Sequence, residues 1–297
     1  MYIYLLNIGT FIAIYAILAS TLNVMIGYTG VFTMAHAAFF GVGAYVAAFV
    51  AINFTASLPL VLLVSMLVAA VLSLIIALPA LRVRNEYFVV VSLAIQILCV
   101  TVFSEWKGFT GGLGGIVNIP MPTLFFGTIT THGQFLALAV VCLVAVMAII
   151  GLAVKGSFGR SLMAVRDDEA AALALGKNVA LIKTLSVALA SGLTAVGGVV
   201  YAFFLSFINV QSFTLDVSVL LIAMVIVGGT GTLFGPIVGA ALLMILPNAL
   251  SYIPYLPSTE IGSVQQALYG LAMVLMMIFR PGGVAGVYHR GRKGPNA

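Results

Sequence analysis

Apolar runs of about twenty residues, broken by short polar punctuation, recur along the whole chain. They occupy residues 3–26, 31–50, 58–80, 87–104, 134–154, 181–205 and 264–280. An α-helix rises about 1.5 Å per residue, so about 20 apolar residues carry it across the hydrocarbon core of a bilayer. The interval 217–250 is different. An apolar run over 217–227 is followed by GGTGTLFGP and then by a second apolar run to about 250. It reads as two spans, one of them short, joined by a glycine-rich break. The pattern predicts an all-α polytopic integral membrane protein, a single transmembrane domain over 1–297 with about nine transmembrane helices, a short or broken pair among them.

Composition supports that class. Of 297 residues, 63% are hydrophobic and only 6% charged, too few polar groups to cover a soluble domain of this size. Lipid must act as the surrounding solvent. The 31 glycines suit transmembrane helices, which approach closely where side chains are small. The net charge of +5 is better explained by orientation than by nucleic acid. With the N-terminus outside, the inner segments hold Arg82, Arg84, Lys155, Arg160, Arg166, Lys177, Lys183, Arg280, Arg290, Arg292 and Lys293. Only Lys107 is left outside, with Glu105, Asp216 and Glu260. The positive-inside rule then predicts N-out and C-in, with 155–183 and the basic tail 281–297 in the cytoplasm. MYIYLLNIGTFIAIYAILAS lacks a basic leader and reads as a retained first span. Cys99 and Cys142 sit in apolar runs without disulfide or metal spacing and read as small hydrophobes.

One stretch concentrates the charge. KGSFGRSLMAVRDDEAAALALGKNVALIK, residues 155–183, holds Lys155, Arg160, Arg166, Asp167, Asp168, Glu169, Lys177 and Lys183. Ser161 can cap a short helix through about Arg166. Asp167 or Asp168 can cap a second, with Glu169 at its positive end, Gly176 as the C′ residue and Lys177 beside its negative end. About two turns of helix are not stable alone in water. The stretch is therefore either a solvated connector or an element that docks on a partner. Its length and its alanine-leucine face favour docking. AALALGKN is similar to the end of a phosphate-binding loop, yet Ala171 replaces the required glycine and Asn178 the required Ser or Thr. The phosphate cradle and the magnesium hydroxyl are both missing, so this motif binds no ATP.

Within the spans, polar side chains need a partner or a cavity. His36, Gln96 and Asn23 bond between helices or line a path. GYTGVFTMAH at 27–36 and GGTGTLFGP at 228–236 break helices in the two halves of the chain. Transporters often place broken helices at matching positions along the path, which makes Gly229, Thr230 and Gly231 candidates beside His36 and Gln96. Close packing or a plain inner-face turn is the other reading. No ionisable group lies clearly mid-span, which weakens a proton- or sodium-coupled mechanism. HExxH is absent. No catalytic set, metal site or cofactor is expected.

Three ordered stretches carry a resemblance: GSFGRSLMAVRDDEAAALALGKNVALIK, GLTAVGGVVYAF and MVIVGGTGTLFGPIVGAALL. In the earlier half, YTGVFTMAHAAFFGVGAYVAA, LRVRNEYFVVVSLA and FTGGLGGIVNIP follow in the expected order. Together they resemble the LivM-like permease subunits of branched-chain amino-acid ABC importers, over nearly the whole chain. The resemblance implies a permease subunit of the inner membrane, not an enzyme, working by alternating access. It implies two cytoplasmic ATPase subunits, a second permease subunit (a paralogue) and a periplasmic substrate-binding protein as partners. It also implies that 155–183 is the coupling loop, carried by Arg160, Arg166, Asp168, Glu169 and Gly176. The family often has a polar or acidic residue where Leu113 or Gly114 stands here. Some of its members carry urea or short amides, which is the alternative substrate class; an ATPase-independent secondary transporter or channel is the weaker alternative.

Overall fold

The structure, a computed structural model, describes residues 2–80, 85–124, 127–250, 261–279 and 282–284. Arg82, Arg84, Glu260, Arg280, Arg290, Arg292 and Lys293, and with them most of the basic tail, lie outside those residues. Twelve α-helices follow one another among the described residues. They are α1 (Tyr2–Asn23), α2 (His36–Asn53), α3 (Leu58–Ala80), α4 (Asn85–Glu105), the single turn α5 (Lys107–Thr110) and α6 (His132–Lys155). Then come α7 (Ser157–Asp167), α8 (Glu169–Ala174), α9 (Val179–Leu205), α10 (Leu215–Gly228), α11 (Gly235–Leu250) and α12 (Ile261–Phe279). A π-helical turn, Val24–Thr29, prolongs α1.

The apolar runs become helices. Seven are long and apolar enough to cross a membrane, and the shorter apolar stretches Gly235–Ile245 and Ala267–Met276 belong to α11 and α12. Helix ends follow local chemistry. Thr131 and Gln134 close a reciprocal capping box at the start of α6, and Asn178 accepts the Leu181 N–H at the start of α9. The second span starts at His36 rather than at 31. Gly30 takes a left-handed φ of 75°, and residues 31–35 run as non-helical backbone before α2 begins.

Helices α2 and α9 form the centre. Every turn of α2 is buried, as is most of α9. They meet through small residues: Gly43 backs onto Ala195, and Gly198 onto the backbone of Phe40 and Ala44. Helices α1, α3 and α10 pack around them, while α3, α4 and α6 turn leucine, valine and isoleucine outward, as lipid-facing helices do. At one end an aromatic cluster of Phe40, Tyr45, Phe103, Tyr201 and Phe213 fills the space between α2, α4, α9 and the turn Val210–Phe213 that leads into α10. Two short strands close that end, β1 (Ile116–Val117) pairing antiparallel with β4 (Phe207–Ile208). The hairpin β2 (Thr123–Leu124) and β3 (Gly127–Thr128) lies nearby in sequence. The opposite end carries α7 and α8.

Candidate functional site

The end that carries α7 and α8 brings together the charged stretch and both helix breaks. Helix α7 begins at Ser157, after Gly156 in extended backbone and without a side-chain cap. Ser161 is therefore not the cap that the sequence predicts. It lies a turn inside the helix, where its Oγ donates to the Ser157 carbonyl (3.1 Å) and accepts from Lys177 Nζ (3.1 Å). The helix starts early because Gly159 sits against the Val154 backbone, where a Cβ has no room, so the chain turns sharply out of α6.

Helix α8 matches its punctuation. Asp168 Oδ1 accepts the Ala171 N–H at 3.0 Å, an N-cap worth about 1 kcal/mol. Gly176, at φ 75°, closes the helix: its N–H donates to Leu173 O and that of Lys177 to Ala172 O. This is the paired bonding of a Schellman motif.

The two helices are stable because they share a core of their own. Leu162, Val165, Ala172, Val179 and Ile182 pack with Tyr28 of the π-turn. Each large side chain buried there contributes about 1.5–3 kcal/mol, enough to hold helices too short to stand alone. Lys183 does not belong to an exposed charge cluster. It is buried in the first turns of α9, and its Nζ meets Glu169 Oε2 at 2.8 Å. Glu169 thus ties α8 to α9. The other face is open. Arg160, Leu173 (55% exposed) and Leu175 (79% exposed) are exposed there, as is Lys177, whose Nζ reaches back to Ser161.

Arg166 points the other way. Its Nη1 donates to the Gly27 carbonyl at 2.7 Å, while Nε and Nη2 hold Asp167 at 3.0 Å. The Gly27 carbonyl is among those a helix leaves unpaired at its C-terminus, and a cation there also meets the negative end of the helix dipole. Gly27 in turn lies against the backbone of Gly231, too close for any side chain. Between them stands Asn23. Its Nδ2 donates to Thr232 O (2.8 Å) and its Oδ1 accepts from the Gly231 N–H (2.9 Å). One side-chain amide so pairs with a donor and an acceptor of the second break.

The first break is plugged from inside. His36 Nε2 sits among Thr21 Oγ1 (3.0 Å), Thr194 Oγ1 (2.9 Å) and the Leu18 carbonyl (3.1 Å). Three oxygens around one nitrogen favour the Nε2–H tautomer. Gln96 Oε1 accepts from the Ala38 N–H (2.9 Å) and its Nε2 donates to Phe213 O (2.7 Å). Ser218 accepts from the Ala37 N–H and Ser92 from that of Met34, each at 3.0 Å. Side chains of α4 and α10 thereby satisfy backbone donors that a broken helix leaves orphaned at membrane depth.

The residues expected to line a path therefore fall into two groups. Gly229, Thr230 and Gly231 lie at the end carrying α7, with Thr230 exposed. His36 and Gln96 lie deeper, fully buried and hydrogen-bonded. A separate cavity of ≈ 600 Å³ between α3, α6 and the β2–β3 hairpin is lined chiefly by apolar residues such as Leu58, Leu62, Leu138 and Val141. Gln134, on its wall, is engaged with the backbone of Thr130 and Thr131.

Comparison with known proteins matches residues 4–279 to a family described as the permease component of the branched-chain amino acid transport system. The chain belongs to this family. Among curated relatives of this branched-chain amino-acid permease is the high-affinity branched-chain amino acid transport system permease protein LivM of Salmonella typhimurium. It is 29% identical over 94% of this chain and 69% of its own length. LivM of Escherichia coli is 28% identical over the same shares. A probable LivM permease of Methanocaldococcus jannaschii is 24% identical over 78% of this chain and 71% of its own. No solved structure matches. The permease is thus a multi-pass membrane transport component, as its helices require.

Four contributors to the site escape a reading of sequence alone: Ser92, Ser218, the Lys183–Glu169 pair and the contact of Asn23 with the second break. Asn23 carried the one usable signal, a lone amide in an apolar run.

Proposed function

We propose that this chain is the membrane-spanning subunit of an ATP-driven importer that carries branched-chain or other hydrophobic amino acids across the inner membrane by alternating access. Energy comes from two ATPase subunits on the cytoplasmic side. A paralogous permease completes the pore, and a periplasmic binding protein delivers the solute. The N-terminus lies outside, and α7 and α8 face the cytoplasm, in keeping with the placement of Lys and Arg.

The observation that carries this reading is the two-sided build of α7 and α8. Outward, α8 exposes Leu173 and Leu175, and the same stretch exposes charges of both signs, Arg160 and Lys177 with Asp167 and Asp168. Inward, Arg166 grips the end of α1, and Glu169 grips α9. A push on the outer face therefore reaches the spans through fixed contacts. Asp168 and Gly176 keep α8 a defined rod by capping its two ends.

Co-purification after mild detergent extraction tests the proposal. An ATPase subunit is expected to accompany the tagged permease, and uptake is expected to stop on ATP depletion. Uptake that survives ATP depletion, and instead collapses with one ion gradient, overturns it.

A further inference from the structure

The turn at residues 229–232 is held from three sides by parts of the chain far apart in sequence. Asn23 of α1 pairs with Gly231 and Thr232. Arg166 of α7 lies beside Gly231 and bonds Gly27, which backs onto it. From the third side comes the segment after α12. The Val284 N–H donates to the Val227 carbonyl at 2.9 Å, and Gly283 lies flat on Gly229, with no room for a Cβ. Gly229 itself has φ 123° and ψ 111°, a backbone state that only glycine takes readily.

Backbones also meet closely between α2 and α9 and between α10 and α11, but there buried apolar side chains flank the contact, and none of residues 229–232 belongs to that core. Elsewhere α1, α10 and α11 are locked by apolar side chains around any glycine contact. At the turn they are joined by a few hydrogen bonds and bare backbone. Such a joint can part and reform without repacking a core, whereas close-packed interiors resist graded deformation.

We propose that residues 229–232 form the moving part of the cytoplasmic mouth of this subunit, shown here clasped shut, and that Asn23 and the Gly283 segment are the positioning groups that set its closed register. Arg166 links the clasp to the docking face of α8, so displacement of α7 releases the turn. The inference rests on the function proposed above. Asn23 touches neither the outer face of α8 nor the ATPase side, so its loss separates coupling from assembly.

The test uses the assembled complex in lipid nanodiscs, with the variants Asn23→Ala and Gly283→Ala. Amide exchange of the peptide covering 229–232 is expected to speed up by about tenfold in each, the effect of losing one or two hydrogen bonds. Exchange in α3 and α6 stays unchanged. ATPase subunits remain bound and hydrolyse ATP, while solute moved per ATP falls several-fold. Gly283→Ala strikes the turn without altering α1, so it decides the matter should Asn23→Ala fail to accumulate. Wild-type exchange at 229–232 together with wild-type coupling in either accumulated variant overturns the proposal. Loss of the ATPase from the wild-type complex is the separate failure of the functional reading.

Discussion

The two helix breaks look alike in sequence and are built differently. The first is sealed inside the protein over 31–36, while its leading turn, 27–30, faces Arg166 and Gly231. Val31, Thr33 and Ala35 are buried, and Ser92, Gln96 and Ser218 each take up a specific backbone N–H. The second, 228–235, reaches the surface at Thr230 and Phe234. It is held by Asn23 and by the segment after α12, and Arg166 closes on the same junction. A glycine-rich interruption is thus not one kind of object. Where neighbouring side chains satisfy its donors it is a rigid splice. Where distant segments clasp it, the break is a joint.

The largest effect that tests this contrast is expected at Gln96. Gln96→Leu leaves the Phe213 carbonyl without this amide in a dry interior, at a cost of about 1–3 kcal/mol, and leaves the Ala38 N–H only its bond to Ala35 O at 3.2 Å. The melting temperature of the purified permease should fall steeply and its membrane level drop, with transport per remaining molecule little changed. Coupling lost at normal stability would break the contrast. Glu169→Lys should come next. It sets a second cation beside buried Lys183, loosens α8 from α9 by about 1.5–3 kcal/mol, the range for a hydrogen bond to a charged group, and should release the ATPase while the spans still insert. Proteolysis within 168–178 and co-purification read both consequences.

Smaller effects sharpen the outer face. The double change Leu173→Asp with Leu175→Asp removes apolar surface that is mostly exposed among the described residues. Thermal stability should move by less than about 0.5 kcal/mol, while ATPase binding weakens by at least about tenfold. Unaltered binding would assign the docking surface elsewhere. The smallest effect belongs to Cys142→Ser, a small change on the outer helix α6, far in sequence from both breaks. Uptake should stay within about twofold of wild type.

Much of this was legible from residue order. The apolar runs gave the helices, because length and hydropathy alone decide what a bilayer accepts. Asp168 and Gly176 declared the ends of α8, because capping is local chemistry. Ser161 misled for the same reason: an equally good local signal lost to the tight turn at Gly156 and Gly159. Lys183 read as a loop charge because burial depends on Glus that fold back from elsewhere, here Glu169. The meeting of Asn23 with Gly231 and Thr232 spans some two-thirds of the chain, and no periodicity encodes it. Of the expected coupling residues, Arg166, Asp168, Glu169 and Gly176 hold the loop in place, while Arg160 stands free on its outer face.

Force transfer from the ATPase side to the helix breaks, through Arg166 of α7, is the step on which the proposed function turns. It is tested most directly by solute transported per ATP hydrolysed, measured in proteoliposomes with Arg166→Gln. The Arg166→Gln complex should retain its ATPase subunits and hydrolyse ATP at a near-normal rate, yet move about tenfold less solute per ATP. An unchanged ratio of transport to hydrolysis would contradict it.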